Sequence, residues 1–431
     1  MLNKQKEMKI LLITYPVSPY RGSEFSVSWN YIVNMSREHE LFVLYGTSGG
    51  GLGNVSELKG WLKTHTLNNV HFIDVQMPDN VLSRVLARLR AFNYKFGSFF
   101  QYKYWHKQVY RKALEIVGTD GIDIVHYLNP IGFKEPSECW RIKGVPYVWG
   151  PVQGVENRPL CLYKALGISG CVDALIRLVV HNGMLLFSPK IRKAVKRADC
   201  MFAATPNTVK QMKRVFGKET IYLPENGIQK MNRTEPITYN EGDVLRIVWC
   251  GAVVYRKGLI LLLDALSKVK SDRWCLNVIG GGGNLLPSLK KYADKHNISK
   301  HITWHGSIPR EQVFKLMSDS HLHVISSLGD ATTTVLLEAM SFVVPTMTLD
   351  HCGMAGVVCQ KCGIKIQIHS YKQVVNDMAA NIEGIINEPE KINRLSKGVI
   401  ECSKKYLWTN RISVFDKAYE TAVQKYSYNS F

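Results

Sequence analysis

Short apolar runs rich in Ile, Leu and Val alternate along this chain with longer segments whose apolar positions recur every three or four residues. The first run, Ile10-Leu-Leu-Ile-Thr-Tyr15, reads as a strand buried on both faces, as in a parallel sheet. The alternation occurs twice. In the first half, strands are predicted over 9–15, 41–45, 70–75, 122–127, 146–149 and 200–204, with helices over 25–37 and around 81–118. Beyond Pro224, the polar run 229–243 reads as a linker. The pattern then restarts with strands over 245–250, 275–279, 302–305 and 322–326, and helices over 259–271, 286–296 and 310–318. These elements predict two doubly wound α/β units, 1–224 and 245–408, joined by a linker at 225–244.

With 431 residues, 46% of them hydrophobic, and a mean hydropathy of −0.09, both units can bury a core. No apolar run approaches the roughly 18 residues of a membrane span. The best candidate, 174–187, is interrupted by Arg177 and His181. The run from Ile10 to Tyr15 is too short for the core of a signal peptide. The ten cysteines are scattered, and the Cys359-x-x-Cys362 pair lacks a second pair at zinc spacing. They read as reduced thiols of a cytosolic protein, with no metal site.

Charge sharpens the picture. Against 35 acidic residues stand 55 Lys and Arg, a net +20. That leaves nucleic acid, an anionic membrane surface or a phosphorylated substrate as partners. The sequence carries no recognition-helix layout, Cys/His finger or aromatic RNA-binding consensus, so no nucleic-acid partner is expected. Basic and aromatic residues interleave from Arg84, Arg88 and Arg90 through Tyr94, Lys95 and Phe96 to Trp105 and Lys107. A second basic stretch runs from Lys190 to Arg197. Both suit an anionic headgroup surface, at the inner face of the cell membrane.

Candidate chemistry collects after the predicted strands. The strand 322–326 passes through Gly329 and Asp330 into a helix that opens on Thr332, Thr333 and Thr334 and continues through Val335 to Glu338. A helix start offers free N–H groups to an anion, and a carboxylate further along can accept hydrogen bonds from sugar hydroxyls. After 245–250 comes Gly251-Ala252-Val-Val-Tyr255-Arg256-Lys257-Gly258, two cations placed for a diphosphate. After the first strand, Tyr20-Arg21-Gly22-Ser23-Glu24 reads as a glycine turn with Ser23 as N-cap and outward-pointing amides. Glycine turns at Thr47 to Gly53 and at Gly280 to Gly283 lack the register of a dinucleotide fingerprint. His126 ends one strand, and Glu156 and Asn157 follow the stretch Gly150-Pro-Val-Gln-Gly154. There is no Asp-x-Asp pair to hold a divalent ion.

The segment from His321 to Met340, with Asp330 and Glu338, resembles the donor site of retaining glycosyltransferases of the GT-B fold, the group-1 or family-four type of bacterial polysaccharide biosynthesis. The resemblance covers nearly the whole chain. It implies two Rossmann-like domains with the site in the cleft between them, and a C-terminal helix within 409–431 bracing the first domain. It implies transfer of a sugar from a nucleotide-diphospho-sugar to a glycan acceptor, the expected partners being lipid-linked glycans of capsule or O-antigen type, with retention of configuration and no metal cofactor. In such an enzyme Glu338 holds the ribose, Asp330 the donor sugar, and Lys257 and Arg256 the departing diphosphate. The amides of Gly22, Ser23, Glu24, Thr332, Thr333, Thr334 and Val335 assist. Gly251, Gly280, Gly306 and Ile308 line the nucleotide, His126 lies near the donor sugar, and Glu156 and Asn157 sit on the acceptor side. Two positions depart from the pattern: Ala252 replaces an arginine and Leu128 a histidine. They leave open a catalytically impaired nucleotide-sugar-binding or scaffold subunit.

Overall fold

A computed structural model describes residues 7–47, 55–92 and 94–429. The glycine run through Gly51 and Gly53, and the side chains of Tyr94, Lys95 and Phe96, lie outside the described residues. The chain divides into two compact units. Unit 1 comprises Met1–Val155, His181–Asn226 and Arg411–Phe431, and unit 2 comprises Glu156–Val180 and Gly227–Asn410.

Unit 1 carries seven strands: β1 (Lys9–Thr14), β2 (Glu40–Thr47), β3 (Val70–Gln76), β4 (Ile124–Asn129), β5 (Tyr147–Val152), β6 (Cys200–Ala203) and β7 (Ile221–Tyr222). All pair in parallel in the order β3-β2-β1-β4-β5-β6-β7. Ile10, Leu11, Leu12 and Ile13 are each fully buried, which is why β1 is apolar at consecutive positions: both faces of the sheet are covered. The expected helix over 81–118 is two helices, Val81–Phe92 and Tyr94–Thr119. In the second, Trp105, Val109, Ala113 and Ile116 follow one helical face into the core, and the Trp105 indole donates to the Val75 carbonyl at 2.6 Å. Trp105 therefore serves packing. The first leaves Val81, Leu82, Val85 and Phe92 exposed beside its arginines. The last helix, Trp408–Asn429, is tied into unit 1 from Arg411 onward. Asp416 pairs with His39 at 2.8 Å, both fully buried, and Arg411 donates to the Pro224 carbonyl at 2.6 Å.

Unit 2 carries six parallel strands: β8 (Leu245–Cys250), β9 (Trp274–Ile279), β10 (Ile302–Gly306), β11 (Leu322–Ile325), β12 (Thr346–Leu349) and β13 (Gly363–Ile366). Their order is β10-β9-β8-β11-β12-β13. The helix expected over 259–271 stops at Leu266, because the amides of Lys270 and Ser271 turn to Glu383 at 2.9 and 3.4 Å. The run read as a linker is docked along its length. Ile237 and Tyr239 are buried, and their amides donate to Ser396 and Asn393 of the helix Glu390–Ser403 at 2.8 and 2.9 Å. Its polar composition hides a segment anchored by its backbone and by a few buried side chains.

Residues 156–180 cluster with unit 2, not with the first unit in which sequence placed them. The reason is the helix Gly167–Phe187, in which Arg177 and His181 cause no break. Ala174 packs in the unit 2 core and Leu185 in that of unit 1. The window Gly170–Phe187 has a mean hydropathy of 1.4 and is only 22% buried, so by length and composition it could cross a membrane. Val172, Ile176, Val179 and Phe187 are exposed along it.

Candidate active site

In a doubly wound sheet, ligands bind beyond the carboxyl ends of the strands where the strand order reverses, because the loops there diverge and leave a crevice. In unit 2 that point lies between β8 and β11. The loop after β8 supplies Arg256 and Lys257, and the loop after β11 supplies Asp330. The three side chains meet. Lys257 Nζ lies 2.7 Å from Asp330 Oδ2, and Arg256 Nη1 donates to Asp330 Oδ1. The Ser327 hydroxyl also donates to Asp330. The two loops are laced together below this cluster: the Leu328 amide donates to the Arg256 carbonyl at 2.8 Å, and the Ser326 hydroxyl to the Lys257 carbonyl at 3.1 Å. Asp330 does not cap the helix Thr334–Ser341, whose N-cap is Thr333. Two cations against one carboxylate leave a positive surplus, held where an anion can reach it.

Sequence reading missed two further cations here. Arg158 lies along Gly329, where a Cβ would stand 3.4 Å from its Cγ, and pairs with Asp173 at 3.7 Å. Arg177 is partly buried, and its pKa is lowered by desolvation first and then by Arg158, with Arg256 contributing. Both residues lie in 156–180. Arg177 is a charge inside the apolar helix Gly167–Phe187, the one signal the sequence carries; nothing in the sequence marks Arg158. They add positive charge beside the Gly329 and Arg256 loops.

Glu338 stands one turn into its helix and is held by Arg310, at 2.9 Å, from the start of the helix Arg310–Ser318. Burial raises the Glu338 pKa, and Arg310 opposes that rise. Arg310 was also missed, although it directly follows the Ile308-Pro309 turn. Glu338 reaches the end of β8: the Cys250 thiol is pushed up to about 12 by burial and then by the Glu338 charge. Gly251, Gly280 and Gly306 end β8, β9 and β10 side by side, the Gly251 amide donating to Ile279 and the Gly280 amide to Gly306. Gly280 has φ 122°, and a Cβ there would lie 2.0 Å from the Gly251 carbonyl oxygen, so only glycine fits. Ile308 is half-buried, and Val335 packs on the unit 2 core. Thr332 is buried. The Thr333 hydroxyl is buried with no hydrogen-bond partner among the described residues, a donor left for a ligand.

Glu156 and Asn157, expected on the acceptor side of the first domain, belong to unit 2. Glu156 acts electrostatically on Cys352, and the Asn157 backbone hydrogen-bonds His351. Cys352 has φ 56°, and the Gly353 amide donates to the Asp330 carbonyl at 3.5 Å. Both residues thus adjoin the Asp330 loop.

In unit 1 the order reverses between β1 and β4. A Cβ on Gly22 would meet nothing within 4 Å. Ser23 starts the helix Glu24–Met35 with φ 57° and makes no side-chain cap, a correction to its expected role; its carbonyl takes the Ser26 and Val27 amides instead. Glu24 receives the Ile131 amide at 3.4 Å, yet burial pushes its pKa up to about 7. His126 is not placed for catalysis. It is fully buried in the core, its Nδ1 paired with the Tyr419 hydroxyl and its Nε2 with the Gly150 carbonyl, both at 2.7 Å, and burial pushes its pKa down to about 4. A strand residue of a sheet covered on both faces points into a layer of helices, here at Phe415 and Tyr419.

Two parallel doubly wound units, with cations and an acid at the switch point of the second, have the architecture of the GT-B fold. Residues 235–401 match the model of the family described as glycosyl transferases group 1. An uncharacterized glycosyltransferase of Methanocaldococcus jannaschii is 24% identical over 311 residues, 72% of this chain and 79% of that protein. The apo lipopolysaccharide outer core galactosyltransferase WaaB superposes with a TM-score of 0.64 at 13% identity, covering 95% of this chain and 99% of that one. HepE of Anabaena in complex with UDP-glucose superposes with a TM-score of 0.59 at 14% identity, covering 95% and 99%.

Glu24 gives a stability signature. Its folded pKa, about 7, lies above the unfolded value, 4.5, so the folded state holds the extra proton between them. The associated stability is complete below pH 4.5 and is lost as pH rises through 7, at most about 3 kcal/mol. Glu24→Gln should flatten the fall in melting temperature between those two pH values; an unchanged slope refutes the assignment.

Proposed function

We propose that this enzyme transfers a sugar from a nucleotide-diphospho-sugar to a lipid-linked glycan acceptor, with retention of configuration and without a divalent ion. The observation that carries this reading is the meeting of Arg256 and Lys257 with Asp330 beyond β8 and β11. In the transfer, the bond from the anomeric carbon to the diphosphate breaks and one to the acceptor oxygen forms. The acceptor proton is taken up by phosphate, and the negative charge of the leaving group grows. Arg256 and Lys257 stabilise that growing charge, with Arg158 and Arg177 behind them; fixed cations in a partly dry site act more strongly than in water. Asp330 orients the two cations and, when the sugar enters, exchanges one of these contacts for a sugar hydroxyl. Glu338, held by Arg310, accepts from the ribose hydroxyls.

The acceptor's lipid would be met by helix surfaces that are apolar, basic and uncovered. Arg84, Arg88 and Arg90 accompany exposed Val81, Leu82, Val85 and Phe92 on one helix, and Val172, Ile176, Val179 and Phe187 are exposed on another. These surfaces support a position for the enzyme at the cytoplasmic face of the membrane.

Lys257→Ala should slow hydrolysis of the accepted donor by about 30- to 1000-fold, the cost of losing a charge-assisted contact in such a site. The donor is identified by which of UDP, GDP or ADP raises the melting temperature. Turnover should be the same with and without added magnesium or manganese. Near-normal rates in the variant, or dependence on the added ion, contradict the reading.

Neutralising Arg84, Arg88 and Arg90 together should weaken sedimentation with anionic vesicles by up to roughly 3 kcal/mol, about 1 per residue, and leave donor hydrolysis intact. Equal sedimentation of variant and parent removes this surface from the account.

A further inference from the structure

The Cys359-x-x-Cys362 pair lacked a partner in the sequence, but the fold supplies one. Cys359 and Cys362 bracket the turn between the helix Cys352–Val357 and β13, and Cys402 lies in the last turn of the helix Glu390–Ser403. Gly398 brings the two together. A Cβ there would stand 1.9 Å from the Lys361 carbonyl oxygen, so the helix lies directly on the turn only because that position is glycine. Cys359 Sγ is then 3.6 Å from Cys362 Sγ and 3.4 Å from Cys402 Sγ, and all three sulfurs lie within 4.8 Å of one another. A tetrahedral zinc ion with Zn–S bonds of about 2.3 Å holds its sulfurs about 3.8 Å apart. The observed spacing needs only small rotamer adjustments to reach that.

The turn is built to hold the sulfurs. The Cys362 and Gly363 amides both donate to the Cys359 carbonyl at 3.0 Å, and the Cys359 amide donates to Cys362 Sγ at 3.4 Å. Cys362 is buried while Cys359 and Cys402 are half-buried, so the group opens to one side. Among the described residues no other His, Cys, Asp or Glu joins it.

We propose that Cys359, Cys362 and Cys402 bind a zinc ion through three thiolates, with the fourth position taken by water or a small thiol. Soft thiolate ligands at tetrahedral spacing select zinc over magnesium or calcium. Lys405 lies near enough to Cys402 to offset the negative charge that three thiolates leave around a divalent ion. The ion would pin the Glu390–Ser403 helix to the turn that leads into β13. It shares no residue with the donor site.

The test uses the full chain in a phosphine reductant. Titration with cobalt should give a thiolate-to-metal charge-transfer band that saturates at a single equivalent and is displaced by zinc. Zinc should protect Cys359, Cys362 and Cys402 from alkylation while exposed Cys161 still reacts. Cys402→Ser should weaken cobalt binding by at least roughly tenfold, the scale on which even outer contacts to metal ligands count. If that variant fails to fold, the protection pattern of the parent decides. Absence of the band together with alkylation unaffected by zinc overturns the proposal. So does a disulfide between two of the three in protein isolated without reductant that carries no metal.

Discussion

Asp330 is the pivot of unit 2. A carboxylate partly withdrawn from water needs compensation, and it receives two cations from another loop and a hydroxyl from its own. Arg256 and Lys257 sit just before a helix start, where the dipole disfavours positive charge, and Asp330 offsets that cost. Each partner thus needs the others, and the mutual pairing fixes the ends of β8 and β11 at the place where the strand order opens a crevice. An arriving diphosphate competes with Asp330 for cations already oriented and partly withdrawn from water, a condition that strengthens electrostatic stabilisation.

The rest of unit 2 makes that arrangement rigid. Gly280 lets β9 and β8 end in contact, the Ser326 and Ser327 hydroxyls tie the two loops, and Gly353 lets the helix after β12 press on Ala331 and Thr332, where a Cβ would come within 2.4 Å of the Thr332 amide. Unit 1 spends buried polar groups differently. His126, Tyr31 and Tyr419 link the sheet to the C-terminal helix, and His39 and Asp416 form a second link. Removing one member of such a pair leaves an uncompensated buried group, so these residues hold the helix in register with the sheet.

Much of this was legible in the residues. Continuous apolar runs marked most strands because parallel sheets are covered on both faces, but β7, of two residues, and β12 and β13, of four each, escaped. Asp330, Arg256 and Lys257 could be picked out because they lie in loops that follow a strand, and Glu338 because it is a carboxylate in the helix beyond one of those loops. What stayed hidden was whatever depends on a long-range meeting: Arg158 and Arg177 beside Gly329, Arg310 on Glu338, and Cys402 beside Cys359. His126 shows the opposite failure. A strand-end histidine carries no mark in sequence of whether it faces solvent or a packed aromatic layer. The run 229–243 misled because much of its anchoring is by backbone, to which composition is blind, with only a few buried side chains such as Ile237 and Tyr239.

The central claim is that Asp330 holds Arg256 and Lys257 ready for a diphosphate. Calorimetric titration of the Asp330→Asn variant with the nucleoside diphosphate that stabilises the parent tests it most directly. Removing the competing carboxylate charge should leave diphosphate binding equal or tighter while donor turnover falls by at least about 30-fold. Markedly weaker diphosphate binding, or turnover that survives, would contradict the account.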